Sequence, residues 1–203
     1  ALPNRQYVFL GMAPVNKIQH RTDVIIARDL KYNMEQYPKF CSFTGWYLLW
    51  KNNLIKTQYV NLFEYDIEAD LGFYSIVSDH IKNNYEFIGY VPLPIEHAFI
   101  SHEQYLGNII AAIQKQYNTD IRKVISDSPL QYWSSTSNST FSIETFNQYM
   151  QWFEKLIDDL KDNPMSGHAH ERSITMFLML FNKKMCITKN VIKHLMLKSS
   201  NYK

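Results

Sequence analysis

Residues Tyr59 to Glu68 read Tyr-Val-Asn-Leu-Phe-Glu-Tyr-Asp-Ile-Glu, an apolar run that ends in the carboxylates of Glu64, Asp66 and Glu68. No other stretch restricts the fold as tightly. A mostly β-branched and aromatic run of this length suits a buried strand of a parallel sheet. Carboxylates at the carboxyl end of such a strand fall in the crevice where open α/β sheets bind ligands. Glu64 and Asp66 are two residues apart, so on an extended backbone their side chains leave the same face. Two hard oxygen donors aimed at one point suit Mg²⁺ or Mn²⁺ held together with a phosphate. A strand running out into a solvated acidic turn accounts for the same residues without a ligand.

Strands and helices alternate around this run. Gln6 to Met12 reads as a first strand ending at Gly11, with Pro14 marking the loop. Asp23 to Ala27 fits either a short strand or a helix. Trp46, Leu49 and Trp50 share one face of an expected helix over Gly45 to Lys51. A strand over Glu86 to Val91 is closed by Pro92 and Pro94. Ser101 and Gln104 form a capping box for a helix whose apolar face is Leu106, Ile109, Ile110, Ile113 and Tyr117. Ser142 caps another helix, with Glu144 in its first turn, whose spacing continues to Leu160 before Asn163 and Pro164 stop it. The last strong helix, Glu171 to Asn182, is apolar nearly all round and must be buried. This order predicts an α/β fold with a mostly parallel central sheet flanked by helices.

At 203 residues the chain is expected to form one domain over residues 1–203. Its net charge of only +2 argues against a nucleic-acid partner. Cys41 and Cys186 cannot make a disulfide framework and read as reduced core residues. No transmembrane segment and no secretory signal are evident, so a cytoplasmic location is expected. The absent initiator Met suggests a piece of a longer protein, with its amino-terminal part the expectation.

Two further clusters could carry chemistry. Ser166 to Arg172, at the mouth of the last helix, combines Gly167 for close backbone approach with His168, His170, Glu171 and Arg172. A helix amino terminus favours anions, an imidazole could complete a metal site, and Arg172 could neutralise a phosphate. Equally, the two histidines read as loop residues and Glu171–Arg172 as an ion pair. Zinc through His168 and His170, with His97 or His102 recruited, lacks any recognised spacing. The second cluster, Gln131 to Thr140, sets Trp133 beside a hydroxyl-rich stretch that reads as a sugar platform or as a plain polar loop. Asn138-Ser139-Thr140 matches a glycosylation acceptor.

Together these residues resemble nucleotide-sugar glycosyltransferases of the GT-A fold. The likeness rests on the first strand with its small-residue loop, then Gly45 to Asn52, then Leu62 to Asp66, then Phe141 to Leu160 followed by Gly167 to Arg172. Amino-terminal transferase domains of large chlorella-virus proteins that act on capsid glycans are similar. Glu64-Tyr65-Asp66 looks like the Asp-x-Asp motif with Glu64 in the first place, which puts direct ligation by Glu64 in doubt. The resemblance implies Mn²⁺ or Mg²⁺ with Asp66 as direct ligand, and Glu64 on metal or ribose, directly or through water. It also implies Tyr65 near the ribose, and His168 as a further ligand with His170 as substitute. The uridine of a UDP-sugar would sit near Gly11, Met12, Ala13 and Thr44. Asp66, Glu171 and Arg172 are the candidate catalytic residues. An inverting enzyme needs a base, for which Asp79, Glu144 or Glu171 could serve, while a retaining one needs none; the resemblance favours retention. The expected partners are a nucleotide sugar and a glycan or glycoprotein acceptor. Competing readings are a non-catalytic glycan- or nucleotide-binding module and a metal-dependent phosphohydrolase.

Overall fold

The computed structural model describes residues 9–11, 24–64, 67–95, 103–134 and 136–194. Strands β1 (Phe9–Gly11) and β2 (Val24–Ile26) pair in parallel, and a 3₁₀ turn over Ala27–Asp29 follows, which resolves the ambiguous segment as a strand. Helix α1 (Ser42–Lys51) starts earlier than its apolar spacing predicts. Then come β3 (Tyr59–Leu62), β4 (Ile67–Ala69), α2 (Phe73–Lys82), β5 (Phe87–Gly89) and β6 (Pro92–Pro94). Helices α3 (Glu103–Tyr117) and α4 (Ile121–Ser126) lead to β7 (Tyr132–Ser134) and β8 (Ser139–Ser142). The described chain closes with α5 (Ile143–Glu154), α6 (Ile157–Leu160), α7 (Ser166–Leu180), β9 (Met185–Ile187) and β10 (Ile192–His194).

The main sheet has the order β3-β8-β5-β9. Its direction corrects the expectation of a mostly parallel sheet: β8 runs antiparallel to both β3 and β5, and only β5–β9 is parallel. The run that begins at Tyr59 is also not one central strand. Among the described residues β3 pairs only with β8, at one edge, and β4 pairs instead with β10. Both differences have one cause. β8 is Ser-Thr-Phe-Ser and lacks the apolar alternation that marks a strand, yet Ser139, Thr140 and Phe141 are fully buried. Its hydroxyls are satisfied internally: Thr140 donates to Asn61 Oδ1, which leaves the Tyr90 phenol to donate to Thr140 Oγ1.

The sheet separates two apolar clusters, as strand alternation requires. Leu62, Phe87 and Phe141 face the larger core, where Phe43 and Trp46 of α1, Tyr149 and Phe153 of α5, and Ile174 and Phe177 of α7 interlock. Ile88 and Tyr90 face a smaller cluster with Phe73, Val77 and Val191. The cysteines are not core residues: Cys41 is exposed and Cys186 is half-buried.

Helix ends follow local chemistry. Ser142 Oγ accepts from the Thr145 N–H at 3.2 Å and caps α5 as expected. Asn53, Asn84 and Asn182 adopt positive φ just past α1, α2 and α7. In each case two backbone bonds close the helix, as in Leu54 N–H to Leu49 O at 2.9 Å and Asn53 N–H to Trp50 O at 3.0 Å. Asn thus takes the role usually given to glycine in these stops. Among the described residues no helix is long and apolar enough to cross a membrane.

Candidate functional site

The amino termini of α1 and α7 meet. A β-carbon added at Gly167 would lie 2.9 Å from Cys41 Sγ and 3.2 Å from the Lys39 carbonyl oxygen, so glycine is what lets the two segments touch. Cys41, immediately before α1, has φ 49° and ψ −124°, a strained backbone for a residue with a β-carbon. Thr44 Oγ1 and its N–H both bond the Cys41 carbonyl, at 2.6 Å and 3.1 Å, and hold that turn.

Glu64 reaches the same place from the carboxyl end of β3. Its backbone N–H donates to Asn138 Oδ1 at 2.8 Å, and Asn138 Nδ2 donates to its carboxylate at 3.3 Å. One residue back, Ser42 Oγ donates to Ser137 Oγ at 2.7 Å, tying the start of α1 to the same loop. Burial pushes the Cys41 thiol above its ordinary pKa, and the carboxylates of Glu171 and Glu64 push it further. That joint influence means that Glu64, just past β3, and Glu171 of α7 both lie near enough to Cys41 for their charges to act on it. It also keeps the thiol protonated, which argues against a nucleophilic role.

The Ser166 to Arg172 segment is not a loop; it is the first two turns of α7. His168 and His170, two residues apart on a helix, therefore point to different sides. His168 is half-exposed, with Nδ1 3.1 Å from Glu171 Oε2. His170 is fully buried, its ring centroid 4.6 Å from Trp46, 4.9 Å from Phe43 and 5.5 Å from Phe153. Burial pushes its imidazole down to about 3, and neither ring nitrogen has a hydrogen-bond partner among the described residues. His170 is a core residue, and its burial among aromatic rings does not suit a substitute metal ligand. Arg172 is 6% exposed, with its guanidinium over the Trp133 ring at 5.1 Å and Nη1 donating to the His168 carbonyl at 3.1 Å. Its Nη1 is also 3.8 Å from Glu171 Oε2.

The fold now has a solved counterpart. It is similar to that of a glycosyltransferase. The WbbM bifunctional glycosyltransferase, in its apo structure, matches with a TM-score of 0.62 at 15% sequence identity. The match covers 82% of this chain and 38% of WbbM, so the chain spans well under half of that protein's length. No family model matches the chain, and no curated protein sequence does either.

Of the residues singled out by sequence, the fold joins His168, Glu171 and Arg172 directly, while Glu64 is linked to Glu171 only through the influence of both on Cys41. Met12, Ala13, Tyr65, Asp66, His97, Ser101 and His102 lie outside the described residues, and Gly11 is described as part of β1. Thr44 is buried and serves the first turn of α1. Asp79 pairs with Lys82 on α2 and Glu144 accepts from Gln148 on α5, whereas Glu171, like Glu64, acts on Cys41. Trp133 is 1% exposed and cannot serve as a sugar platform, and Asn138 is fully buried and unsuited as a glycosylation acceptor. Ser42 is the residue that sequence reasoning missed, while Ser137 and Asn138 were noticed only as part of a hydroxyl-rich stretch and not for their contacts with Ser42 and Glu64.

Among the described residues no three His, Cys, Asp or Glu side chains converge as a complete metal cage. The hard oxygens of Glu64 still suit an ion of the Mg²⁺ type, which takes one or two carboxylates and draws its other ligands from phosphate and water.

Proposed function

We propose that the chain is a metal-dependent glycosyltransferase that moves a sugar from a UDP-sugar to a glycan acceptor. The observation that carries this reading is the meeting of the α1 and α7 amino termini beside Glu64, Glu171 and Arg172. The helix dipoles favour an anion there, and a guanidinium suits a diphosphate. The likeness in fold supports the same class of reaction.

On this reading Glu64 and Asp66 hold Mn²⁺ or Mg²⁺, whose chemistry is to offset the charge on the departing diphosphate. The chain's own residues do the rest. Arg172, kept in place by Trp133 and the His168 carbonyl, faces negative charge with little freedom to move. Glu171, paired with His168, is the carboxylate available to take a proton from an acceptor hydroxyl if the reaction inverts. Retention, which needs no such base, and a viral capsid glycan as acceptor rest on the sequence resemblance alone.

A thermal-shift screen of nucleotides and nucleotide sugars, with and without Mn²⁺, tests this reading. A ligand present at about a hundred times its Kd stabilises the native state by roughly 2.7 kcal/mol. UDP with Mn²⁺ is therefore expected to raise Tm by several degrees, and Asp66→Ala to remove the shift. An equal shift in the variant would contradict the assignment. UDP released only when an acceptor is present separates a transferase from an idle binding module, which releases none. Phosphate released without an acceptor would mark a phosphohydrolase instead.

A further inference from the structure

We propose that Asn138 is the positioning residue that orients Glu64 in this site, an inference that rests on the reading above. β3 leaves its ladder at the Leu62–Ser139 pair, so Glu64 lies beyond the last residue whose main chain the sheet holds. The Asn138 side chain takes over there. Its oxygen accepts the Glu64 N–H at 2.8 Å and its nitrogen donates to Glu64 Oε2 at 3.3 Å. Only the oxygen can accept from an N–H, so the network itself dictates which end of the amide faces the carboxylate. One amide therefore grips both the backbone and the acid of the same residue.

The grip is itself anchored. Asn138 is fully buried, its nitrogen also donates to Thr136 Oγ1 at 3.3 Å, and its own N–H donates to that hydroxyl at 3.3 Å. A neutral amide donor on one carboxylate oxygen, with the same amide holding the backbone N–H, fixes how the acid is turned. This is the arrangement by which outer partners orient an ion-binding acid. It also gives a use for the hydroxyl-rich stretch, which forms a buried polar seam along β3 rather than a surface for sugar.

Calorimetric titration of UDP with Mn²⁺ into wild type, Glu64→Gln, Asn138→Ala and the double variant tests the proposal, alongside the Tm of each protein without ligand. Glu64→Gln and Asn138→Ala are each expected to weaken binding by about 10- to 100-fold. If Asn138 acts through Glu64, the double variant binds no more than about 2-fold worse than Glu64→Gln. Losses that multiply in the double variant, or wild-type affinity in Asn138→Ala, would overturn the proposal while leaving the site reading intact. Wild-type affinity in Glu64→Gln, or no binding by the wild type, would overturn both. Should Asn138→Ala not fold, Thr136→Val removes the hydroxyl that anchors the amide. It is expected to weaken binding about 3- to 10-fold, with a loss that vanishes in the Glu64→Gln background. Unchanged affinity in Thr136→Val then overturns the proposal.

Discussion

At pH 5 the protein is expected to be less stable than at pH 7, and His170→Leu is expected to remove most of that difference. An unfolded imidazole titrates near 6.5, whereas burial holds that of His170 at about 3. Between those values the unfolded chain binds a proton that the folded chain refuses. The His170 contribution is therefore fully present above about pH 6.5 and is lost as pH falls towards 3. At pH 5 the loss amounts to about 2 kcal/mol. Leu is close to imidazole in volume and leaves no unbonded nitrogen among Phe43, Trp46 and Phe153, so it should also raise stability at neutral pH. Glu86 adds to acid sensitivity only lower down. Burial pushes its carboxyl up, but the Lys184 N–H, Lys183 and Thr145 outweigh that and hold it below its ordinary value. Its stabilising contribution is present above the usual carboxylate range and fades as pH falls through it. Urea unfolding of both proteins between pH 5 and 7 isolates the histidine. Parallel pH profiles would show that His170 is not the group responsible.

Trp133→Ala is expected to destabilise the fold by about 3–5 kcal/mol, the usual range for emptying a large aromatic site. The ring is 1% exposed, and Arg172 lies over its face. Removing it leaves a cavity on one side and a nearly buried guanidinium without its platform on the other. The substitution should therefore weaken nucleotide binding as well as stability, because Arg172 gains freedom that binding must then remove. Trp133→Phe retains apolar bulk and an aromatic face, and should recover most of both losses. Unfolding free energies and nucleotide affinities for the two variants check the coupling. A stability loss without a change in affinity would separate Arg172 from the ligand.

Elements with strong periodicity were legible in the sequence. The apolar faces of α1, α3 and α5 and the Ser142 cap lie where spacing and capping chemistry predict, but the single helix expected as far as Leu160 is broken between α5 and α6. β8 was not legible, because Ser139, Thr140 and Ser142 carry no apolar alternation, and their burial depends on partners as distant in sequence as Asn61 and Tyr90. The direction of the sheet went with it. The Asn stops at Asn53, Asn84 and Asn182 were legible in principle, since Asn tolerates positive φ. Within the site, residue types singled out Glu64 and Glu171, whose charges both act on Cys41. Orientation did not follow from type. His168 and His170 look equivalent in a supposed loop, but in a helix one is half-exposed and the other lies in the core. Asn138 was hidden for a different reason: its value lies in a contact across 74 residues of chain, which no local pattern encodes.

The most direct measurement is a crystal soaked with UDP and Mn²⁺, with the ion located by its anomalous signal. The ion is expected at the Glu64 and Asp66 carboxylates, with the diphosphate bound to it beside the starts of α1 and α7 and within reach of Arg172. Nucleotide and ion bound elsewhere, with Glu64 still gripped by Asn138 and facing no ligand, would contradict that expectation.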